Sequence, residues 1–558
     1  FKMRIILFVF FVLVLNFANA QPTDSFPDRP KLVVGIVVDQ MRQEYLYRYA
    51  PKFGEGGFKR LMKDGFMLTN AHYNYVPTLT GPGHASIYTG TTPAVHGIIA
   101  NDWYDKDLKK KVNCVEDDKQ KVVGSDKGNG DVSPWRLLST TVTDELELAT
   151  QRRSKVIGIS IKDRGAVLPA GHTPDGAYWY DELTGKFISS TYYKGALPVW
   201  LDKFNARNLA DKYLNETWNT FYPITQYKES GPDDKPYEAV LSDDWILKGK
   251  TRPVFPYNLK ELRKLNPEFE LLYFTPFGNE ILKELALAAI EGEEMGKDEW
   301  TDFLAISFSS TDKLGHAVGP NAIEIEDMYI RLDKNIEELL NKLDNDFGED
   351  QYLVFLSSDH GVADVRQYSI DLKLIPETYG PIDFKKGLND YLSSYFPGKD
   401  LIENISNGQV FFNHDFFNAD PKSSGVEYLV ASELVRSYLL SLDDVSDVFT
   451  KSLVQASSYS EGGIKGNVKR GFHPKRSGDV IYTMESGWTS SVKPHVTTHG
   501  TGFTYDTHVP ILFYGFGVKQ GSTANYHTIT DIAPTVSTIL KIKFPSGTTG
   551  QPIVELLK

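Results

Sequence analysis

Residues 302–361 read DFLAISFSSTDKLGHAVGPNAIEIEDMYIRLDKNIEELLNKLDNDFGEDQYLVFLSSDHG. The runs at the two ends, DFLAISFSSTD (302–312) and QYLVFLSSDHG (351–361), are almost continuously apolar before they turn polar, which is typical of strands covered on both faces. Between them, residues 322–346 repeat apolar side chains at helical spacing. A strand, a helix and a strand in this order predict a right-handed βαβ unit and therefore a parallel sheet.

Three further runs have the same character and extend the predicted sheet. They are KLVVGIVVDQ (31–40), KVIGISIKDR (155–164) and HVPILFYGFG (508–517). We therefore expect an α/β fold, with a mostly parallel sheet sandwiched by helices, in one domain over residues 21–558. The segments at about 165–300 and 365–495 are less regular and rich in aromatic residues, Pro, Asp and Gly, and we interpret them as insertions that form a smaller cap region.

The N-terminal residues have the pattern of a secretory signal peptide. Basic Lys2 and Arg4 flank the start, an apolar run IILFVFFVLVLNFA follows, and Ala18-Asn19-Ala20 resembles a cleavage site. The apolar run is short for a membrane span. We expect residues 1–20 to be a signal peptide, so that the mature protein is periplasmic or secreted and keeps no stable membrane anchor.

The charge and cysteine content narrow the classes of partner. The formal net charge is −13, with both signs mixed along the chain, which argues against a nucleic-acid partner. Cys114 is the only cysteine, so no intramolecular disulfide forms. It follows three lysines on what we interpret as a solvated loop, and it receives no predicted role.

Polar residues follow the predicted strands at the edge where α/β sheets bind ligands. Asp39 ends the first strand, Asp312 ends another, and Asp359 and His360 end a third; His316 follows Asp312 by about one helical turn. Three carboxylates and two histidines at this edge predict a metal site. The alternative is that each Asp caps a helix.

Two further stretches allow more than one interpretation. Three histidines come late in the chain: His495, His499 and His508. His508 adjoins a strand, so we expect it to be packed and hydrogen-bonded in the core. Either His495 or His499 could be a metal ligand, and their spacing does not distinguish between them. In TLTGPGHAS (78–86), Thr80 precedes Gly-Pro-Gly. It is either an ordinary turn residue or a nucleophilic hydroxyl at a strand-to-helix junction.

Taken together, these motifs resemble one family. Asp39, TLTGPGHASIYTGTTPAVHGIIAND (78–102), STDKLGH (310–316), SSDHG (357–361) and TTHGTGF (497–503) follow the order of the alkaline phosphatase superfamily. The similarity is strongest to its exported PafA-type bacterial alkaline phosphatases, which use a threonine nucleophile, and it covers nearly the whole mature chain.

The resemblance implies a site with two zinc ions, a threonine nucleophile and a monomeric enzyme. Asp39, Asp359 and His360 match the ligands of the zinc that also binds Thr80, and Asp312, His316 and His499 match those of the second zinc. It further implies that three residues hold phosphate oxygens: Asn101, Lys162 and Arg164.

A charge balance favours a phosphate monoester as the substrate. Two zinc ions carry four positive charges, which three Asp carboxylates and a Thr80 alkoxide neutralise. A monoester dianion is then balanced by Lys162 and Arg164, whereas a diester has one negative charge fewer. We therefore expect an exported phosphate monoesterase that forms a phosphothreonine at Thr80, with one zinc activating the nucleophile and the other taking the leaving oxygen.

Three alternative functions share features with this sequence. A phosphodiesterase or nucleotide pyrophosphatase of the same superfamily has the same two-zinc core, and the Lys162–Arg164 pair argues against it. A sulfatase would carry Cys or Ser in a C/S-x-P-x-R setting where this chain has Thr80-Gly-Pro-Gly-His. The third is a non-catalytic metal-binding relative, which would bind metal without hydrolytic turnover.

Overall fold

A computed structural model describes most of the chain. It covers residues 29–128, 130–235, 238, 252–266, 268–375, 384–418, 424–487 and 497–558. The predicted signal peptide, residues 1–20, lies outside the described residues, and so does His495.

The centre of the fold is a ten-stranded mixed sheet with the strand order β19-β2-β18-β13-β1-β12-β7-β8-β9-β6. The strands of the described residues are β1 Leu32–Val38, β2 Phe66–Leu68, β3 Ala71–His72, β4 Asp102–Asp105, β5 Lys110–Asn113, β6 Val122–Val123, β7 Val156–Ser160, β8 Gly176–Asp181, β9 Lys186–Ser190, β10 Thr217–Trp218, β11 Tyr257–Asn258, β12 Asp302–Phe308, β13 Tyr352–Ser357, β14 Ile402–Ser406, β15 Gln409–Phe412, β16 Val445–Thr450, β17 Val480–Met484, β18 Ile511–Gly515, β19 Gly521–Thr523 and β20 His527–Thr528.

All five strands expected from the sequence lie in this sheet. Strands β13, β1, β12, β7 and β8 run parallel, and β18 pairs with β13 in the antiparallel direction. The predicted α/β class is therefore confirmed. Alternate residues of β1 face two different apolar cores, since Val34 and Ile36 belong to one cluster and Val33 and Val37 to the other. The continuous apolar run thus reflects a strand that is covered on both faces.

Helices cover both faces of the sheet, and the predicted helix of the βαβ unit is α12. The α-helices are α1 Tyr45–Arg48, α2 Phe58–Asp64, α3 Thr80–Thr89, α4 Pro93–His96, α5 Val142–Ala149, α6 Asp163–Ala170, α7 Val199–Asn205, α8 Leu209–Tyr213, α9 Leu259–Arg263, α10 Phe277–Gly292, α11 Ser310–Val318, α12 Ile323–Phe347, α13 Arg366–Asp371, α14 Phe384–Ser393, α15 His414–Asn418, α16 Ser424–Leu440, α17 Lys451–Ala456, α18 Gly463–Gly471, α19 Thr504–Thr507 and α20 Ile532–Leu540. Short 3₁₀ turns lie at Ala50–Lys52, Ile224–Gln226, Glu270–Phe274, Glu349–Gln351, Ile529–Asp531 and Val554–Leu556.

The two segments interpreted as insertions differ in the structure. The described residues of 384–484 form a smaller lobe, in which a four-stranded sheet of order β14-β15-β17-β16 packs against α14 and α16 around its own apolar cluster. Residues 165–300 instead contribute β8 and β9 to the main sheet, and α10 packs on β12. Their irregular composition arises because short strands and loops alternate there. None of the helices in the described ranges has both the length and the apolar character of a membrane span.

Candidate active site

The three candidate carboxylates converge because their strands are neighbours. Asp39 directly follows β1, Asp312 lies in the first turn of α11 after β12, and Asp359 follows β13. Strand β1 lies between the other two, with Val38 opposite Phe308 and Val37 opposite Ser357. All three side chains are buried. The parallel register therefore brings together residues that are far apart in the sequence.

Three histidines are oriented in the same way around these carboxylates. Nδ1 of His316 bonds to the carbonyl of Thr497 (2.8 Å), Nδ1 of His360 to that of Gly361 (2.8 Å), and Nδ1 of His499 to that of Thr78 (2.7 Å). A carbonyl only accepts, so each Nδ1 must carry the proton. In the neutral ring each Nε2 then carries the lone pair, which is the arrangement of metal-ligating histidines.

The Nε2 atoms face the carboxylate oxygens at short distances. Nε2 of His316 lies 3.1 Å and Nε2 of His499 3.7 Å from Oδ1 of Asp312. Nε2 of His360 lies 3.5 Å from Oδ1 of Asp39 and 3.7 Å from Oδ2 of Asp359. Two groups of possible ligand atoms fall within 4.8 Å of one another: Asp312 with His316 and His499, and Asp39 with Asp312 and His360.

The donor set fits divalent cations. Among the described residues, neither Oδ1 of Asp39 nor Oδ2 of Asp359 accepts a hydrogen bond, although both are buried. Burial, followed by the negative charge of Asp39, raises the pKa of Asp359 well above its ordinary value. Burial also lowers the pKa of His360 to about 3, so its imidazole is neutral as ligation requires. Buried carboxylate oxygens without donors beside the neutral imidazole of His360 are what a metal ion would satisfy.

Thr80 lies at the first turn of helix α3, next to this cluster. Its side chain is buried, and Oγ1 lies 3.4 Å from Nε2 of His360. The close approach of helix α3 to the backbone of Asp359 depends on Gly83, because a Cβ at this position would lie 2.4 Å from the carbonyl oxygen of Asp359. The Gly-Pro-Gly turn therefore places a hydroxyl against the candidate ligands, as the nucleophile interpretation requires.

Asn101 faces the same helix terminus from the loop before β4. Its Oδ1 accepts a hydrogen bond of 2.6 Å from the N–H of Gly81. Because Oδ1 accepts this bond, the side-chain NH₂ remains as a donor near the first turn of helix α3.

The two predicted phosphate-binding cations have different surroundings. Lys162 is buried, and its Nζ lies 2.7 Å from Oδ2 of Asp39 and 2.5 Å from Oδ2 of Asp312. Burial opposes the charge of Lys162, but these two carboxylates raise its pKa. Arg164 is one-fifth exposed; NH1 lies 3.7 Å from Oδ1 of Asp163, and Nε has no hydrogen-bond partner among the described residues. Lys162 thus bridges the carboxylates of Asp39 and Asp312, and Arg164 lies close to Lys162.

Several residues that support the site carried no prediction. Gln40 donates hydrogen bonds to both Asp312 and Asp359, from its side-chain amide and its backbone N–H respectively. Asp506 accepts three hydrogen bonds from Gly500 and Thr501, which fixes the loop that carries His499. The one available signal for Gln40 was its position directly after Asp39.

The solvated position expected for Cys114 is wrong. The side chain is buried in an apolar cluster with Trp103 and Val112, and its Sγ would lie 3.1 Å from a Cβ at Gly81. The lysines before it lie on the exposed edge of β5, whereas the chain turns inward at Cys114. His508 is hydrogen-bonded to the carbonyl of Thr69 and stacks on His72, away from the candidate ligands.

A family model and known proteins match the chain. The model described as type I phosphodiesterase / nucleotide pyrophosphatase matches residues 33–508. The chain is 44% identical over 557 residues to the alkaline phosphatase PafA of Elizabethkingia meningoseptica, with 98% of each chain covered. It is 43% identical over 572 residues to the alkaline phosphatase PhoV of Synechococcus elongatus, with 100% of each covered.

A solved structure agrees with the fold over nearly the whole chain. The crystal structure of wild-type alkaline phosphatase PafA superposes with a TM-score of 0.89 at 44% sequence identity. The match covers 95% of this chain and 100% of the other.

Proposed function

The chain belongs to the type I phosphodiesterase / nucleotide pyrophosphatase family and, within it, to the PafA-type alkaline phosphatases, and we propose that it hydrolyses phosphate monoesters through a phosphothreonine at Thr80. The observation that carries the site assignment is the convergence of three Nε2 atoms and three buried carboxylates beside the Thr80 hydroxyl. The resemblance drawn from the motifs is confirmed at the level of the family and of the activity class.

The proposed metal centre contains two zinc ions. Asp39, Asp359 and His360 would hold one, together with Thr80; the other would be held by Asp312, His316 and His499. Zinc bound there would supply Lewis-acid charge, which lowers the pKa of a bound hydroxyl and stabilises charge on attacking and leaving oxygens.

The residues of the chain then have separate roles in the proposed reaction. Oγ1 of Thr80 loses its proton and attacks phosphorus, the bond to the ester oxygen breaks, and the leaving oxygen takes up one proton to give the free alcohol. Water next attacks the phosphothreonine, which releases inorganic phosphate and restores Thr80. The side-chain NH₂ of Asn101 and the N–H groups of Lys162 and Arg164 donate hydrogen bonds to the non-bridging oxygens. Charge spreads over these oxygens in phosphoryl transfer.

A substrate comparison tests the preference for monoesters. The zinc-loaded enzyme is assayed with an aryl phosphate and with the matching methyl aryl diester, for the wild type and for Lys162→Ala/Arg164→Ala. We expect a strong monoester preference in the wild type that largely disappears in the double variant, because two cations match a dianion better than a monoanion.

A matched control removes the same charge elsewhere. Lys59→Ala/Lys63→Ala takes two positive charges from helix α2, outside the site, and we expect it to keep the monoester preference. A wild type that prefers the diester, or a double variant that keeps its preference, would contradict the roles of Lys162 and Arg164 and favour a phosphodiesterase.

Metal content tests the two-zinc proposal independently of turnover. We expect two zinc ions per chain by elemental analysis of protein purified in zinc, and one in His316→Ala/His499→Ala. A control variant, His508→Ala, should keep both ions, because His508 bonds to Thr69 and stacks on His72. Bound zinc without turnover of either ester would support the non-catalytic alternative.

Export is proposed from the N-terminal sequence alone. If residues 1–20 are removed as a signal peptide, N-terminal sequencing of the mature protein should begin at Gln21. A mature chain that retains IILFVFFVLVL would contradict this.

A further inference from the structure

A large cavity lies beside the candidate active site, between the smaller lobe and the loops 76–79 and 498–503. Its volume is about 820 Å³, within the range of small-molecule sites. On one side it is lined by Leu79, the residue before Thr80, and by the loop 498–503 that carries His499. The opposite side is formed by strands β14 and β17 of the lobe. The cavity therefore reaches the residue next to the proposed nucleophile and includes a proposed ligand of the second metal.

Apolar side chains form the larger part of the walls of this cavity, and Ser, Thr, Asn and Gln side chains add polar groups between them. Val76, Val468, Phe472 and Ile481 belong to one buried apolar cluster, with Ile464 packed against it and partly exposed. A second patch is aromatic, since the rings of Phe384 and Tyr482 stack with their centroids 5.3 Å apart. Surfaces of this kind bind apolar and aromatic groups.

The described residues of the lining carry no net charge. Besides His499 and the neutral phenol of Tyr482, the ionisable side chains along the described lining are Lys385 and Asp447, whose charges are opposite. A second phosphate group, as in a nucleoside diphosphate, would find no cluster of cations there. The lining therefore disfavours leaving groups that carry further anionic groups.

We propose that this leaving-group cavity binds the alcohol portion of the substrate, and that the enzyme prefers phosphate monoesters of uncharged, apolar alcohols, either phenols with apolar substituents or long-chain alcohols. The proposal rests on the proposed function, because an in-line displacement places the leaving oxygen opposite Thr80, on the side assigned to Asp312, His316 and His499. An apolar alcohol is the inferred occupant for three reasons. His499 lines the cavity, the larger part of the cavity walls is apolar, and the described lining residues carry no net charge.

A homologous series of substrates tests the proposal. The para-n-alkylphenyl phosphates from methyl to hexyl share nearly the same leaving-group pKa, so they differ mainly in apolar surface. We expect kcat/KM to rise about fourfold for each methylene that enters the cavity, which corresponds to about 0.8 kcal/mol. The rise should come mainly through KM, because this binding is equal in the ground and transition states. A wild-type kcat/KM that does not change along the series would overturn the proposal.

Variants of Ile464 assign the effect to this cavity. Ile464→Ser should reduce the slope of kcat/KM against chain length, because it removes an apolar contact. Ile464→Trp should end the rise at a shorter chain, because it fills space. Val426→Ser, on the lobe but outside the lining and 67% exposed, should keep the wild-type slope. Equal slopes in all four proteins would also overturn the proposal.

A binding measurement separates this inference from the proposed function. The non-hydrolysable para-alkylphenylphosphonates are titrated into zinc-loaded protein by calorimetry. Affinity that rises with chain length, in a protein that hydrolyses none of the phosphates, would refute the proposed function and leave the apolar cavity supported. Affinity independent of chain length would refute the cavity assignment even if every phosphate is hydrolysed.

Discussion

The side-chain amide of Gln40 donates a hydrogen bond of 2.7 Å to Oδ1 of Asp312. The backbone N–H of the same residue donates one of 3.1 Å to Oδ1 of Asp359. Gln40 has a left-handed backbone with φ of 67°, which is uncommon for a residue other than glycine. Gly315 leaves room for the amide, since a Cβ there would lie 1.9 Å from Oε1 of Gln40. One residue thus orients a carboxylate of each proposed ligand set.

Substitution of Gln40 should weaken metal binding without removing a ligand. We expect Gln40→Ala to lower zinc affinity by about 10- to 100-fold, because Asp312 loses the donor that orients it. Competition with a chromogenic chelator measures this. Gln43→Ala is the matched control, since Gln43 is also buried but its Oε1 has no hydrogen-bond partner within the described residues. Equal affinities in Gln40→Ala and the wild type would show that Gln40 does not orient the ligands.

A second prediction concerns Gly83 in helix α3. Glycine to alanine inside a helix usually stabilises a protein by up to about 1 kcal/mol. Here the new Cβ would lie 2.4 Å from the carbonyl oxygen of Asp359. We therefore expect Gly83→Ala to destabilise the protein by about 1–3 kcal/mol and to reduce kcat/KM, because Thr80 moves relative to Asp359.

Calorimetric melting and steady-state kinetics check the Gly83→Ala prediction. Gly195→Ala serves as a control, because a Cβ at Gly195 has no heavy atom within 4 Å. A higher melting temperature for Gly83→Ala would mean that the helix does not need its close contact with Asp359.

The third prediction is a pH-dependent stability effect at the edge of the sheet where the strands begin. Burial, followed by the negative charge of Asp175, raises the pKa of Glu147 to about 8. A carboxyl whose pKa is higher in the folded state is destabilising once ionised, so this cost grows between pH 4.5 and about 8. Glu147→Gln should therefore be more stable than the wild type at pH 9 by more than about 1 kcal/mol, and show no such gain at pH 4.5.

Melting temperatures at the two pH values measure this difference for Glu147→Gln. The exposed Glu299→Gln controls for the loss of one carboxylate. A difference between Glu147→Gln and the wild type that is the same at both pH values would refute the buried, protonated carboxyl.

The main sheet and the candidate ligands were predictable from the sequence because both depend on local patterns. A strand covered on two faces is apolar throughout, and the polar residue that ends it, as Asp39 ends β1, lies at the binding edge. The role of residues 165–300 was not predictable in the same way, because β8 and β9 are short and separated by irregular loops. Composition there reflects the loops and conceals the strands.

Contacts between distant residues could not be predicted from the sequence. Gln40 and Asp312 are 272 positions apart and meet only because β1 and β12 are neighbours. The leaving-group cavity joins side chains from Val76 to Phe503, and no motif marks it. Cys114 follows three exposed lysines, yet the chain turns it into the core.

The most direct test of the proposed function is detection of phosphate on Thr80. The zinc-loaded enzyme is mixed with an aryl phosphate, quenched in acid within milliseconds and digested for tandem mass spectrometry. We predict phosphate on Thr80 and none on Thr78, the neighbouring threonine in the same peptide, with turnover and phosphorylation both lost in Thr80→Ala. Phosphate on another residue, or full turnover in Thr80→Ala, would contradict the threonine nucleophile.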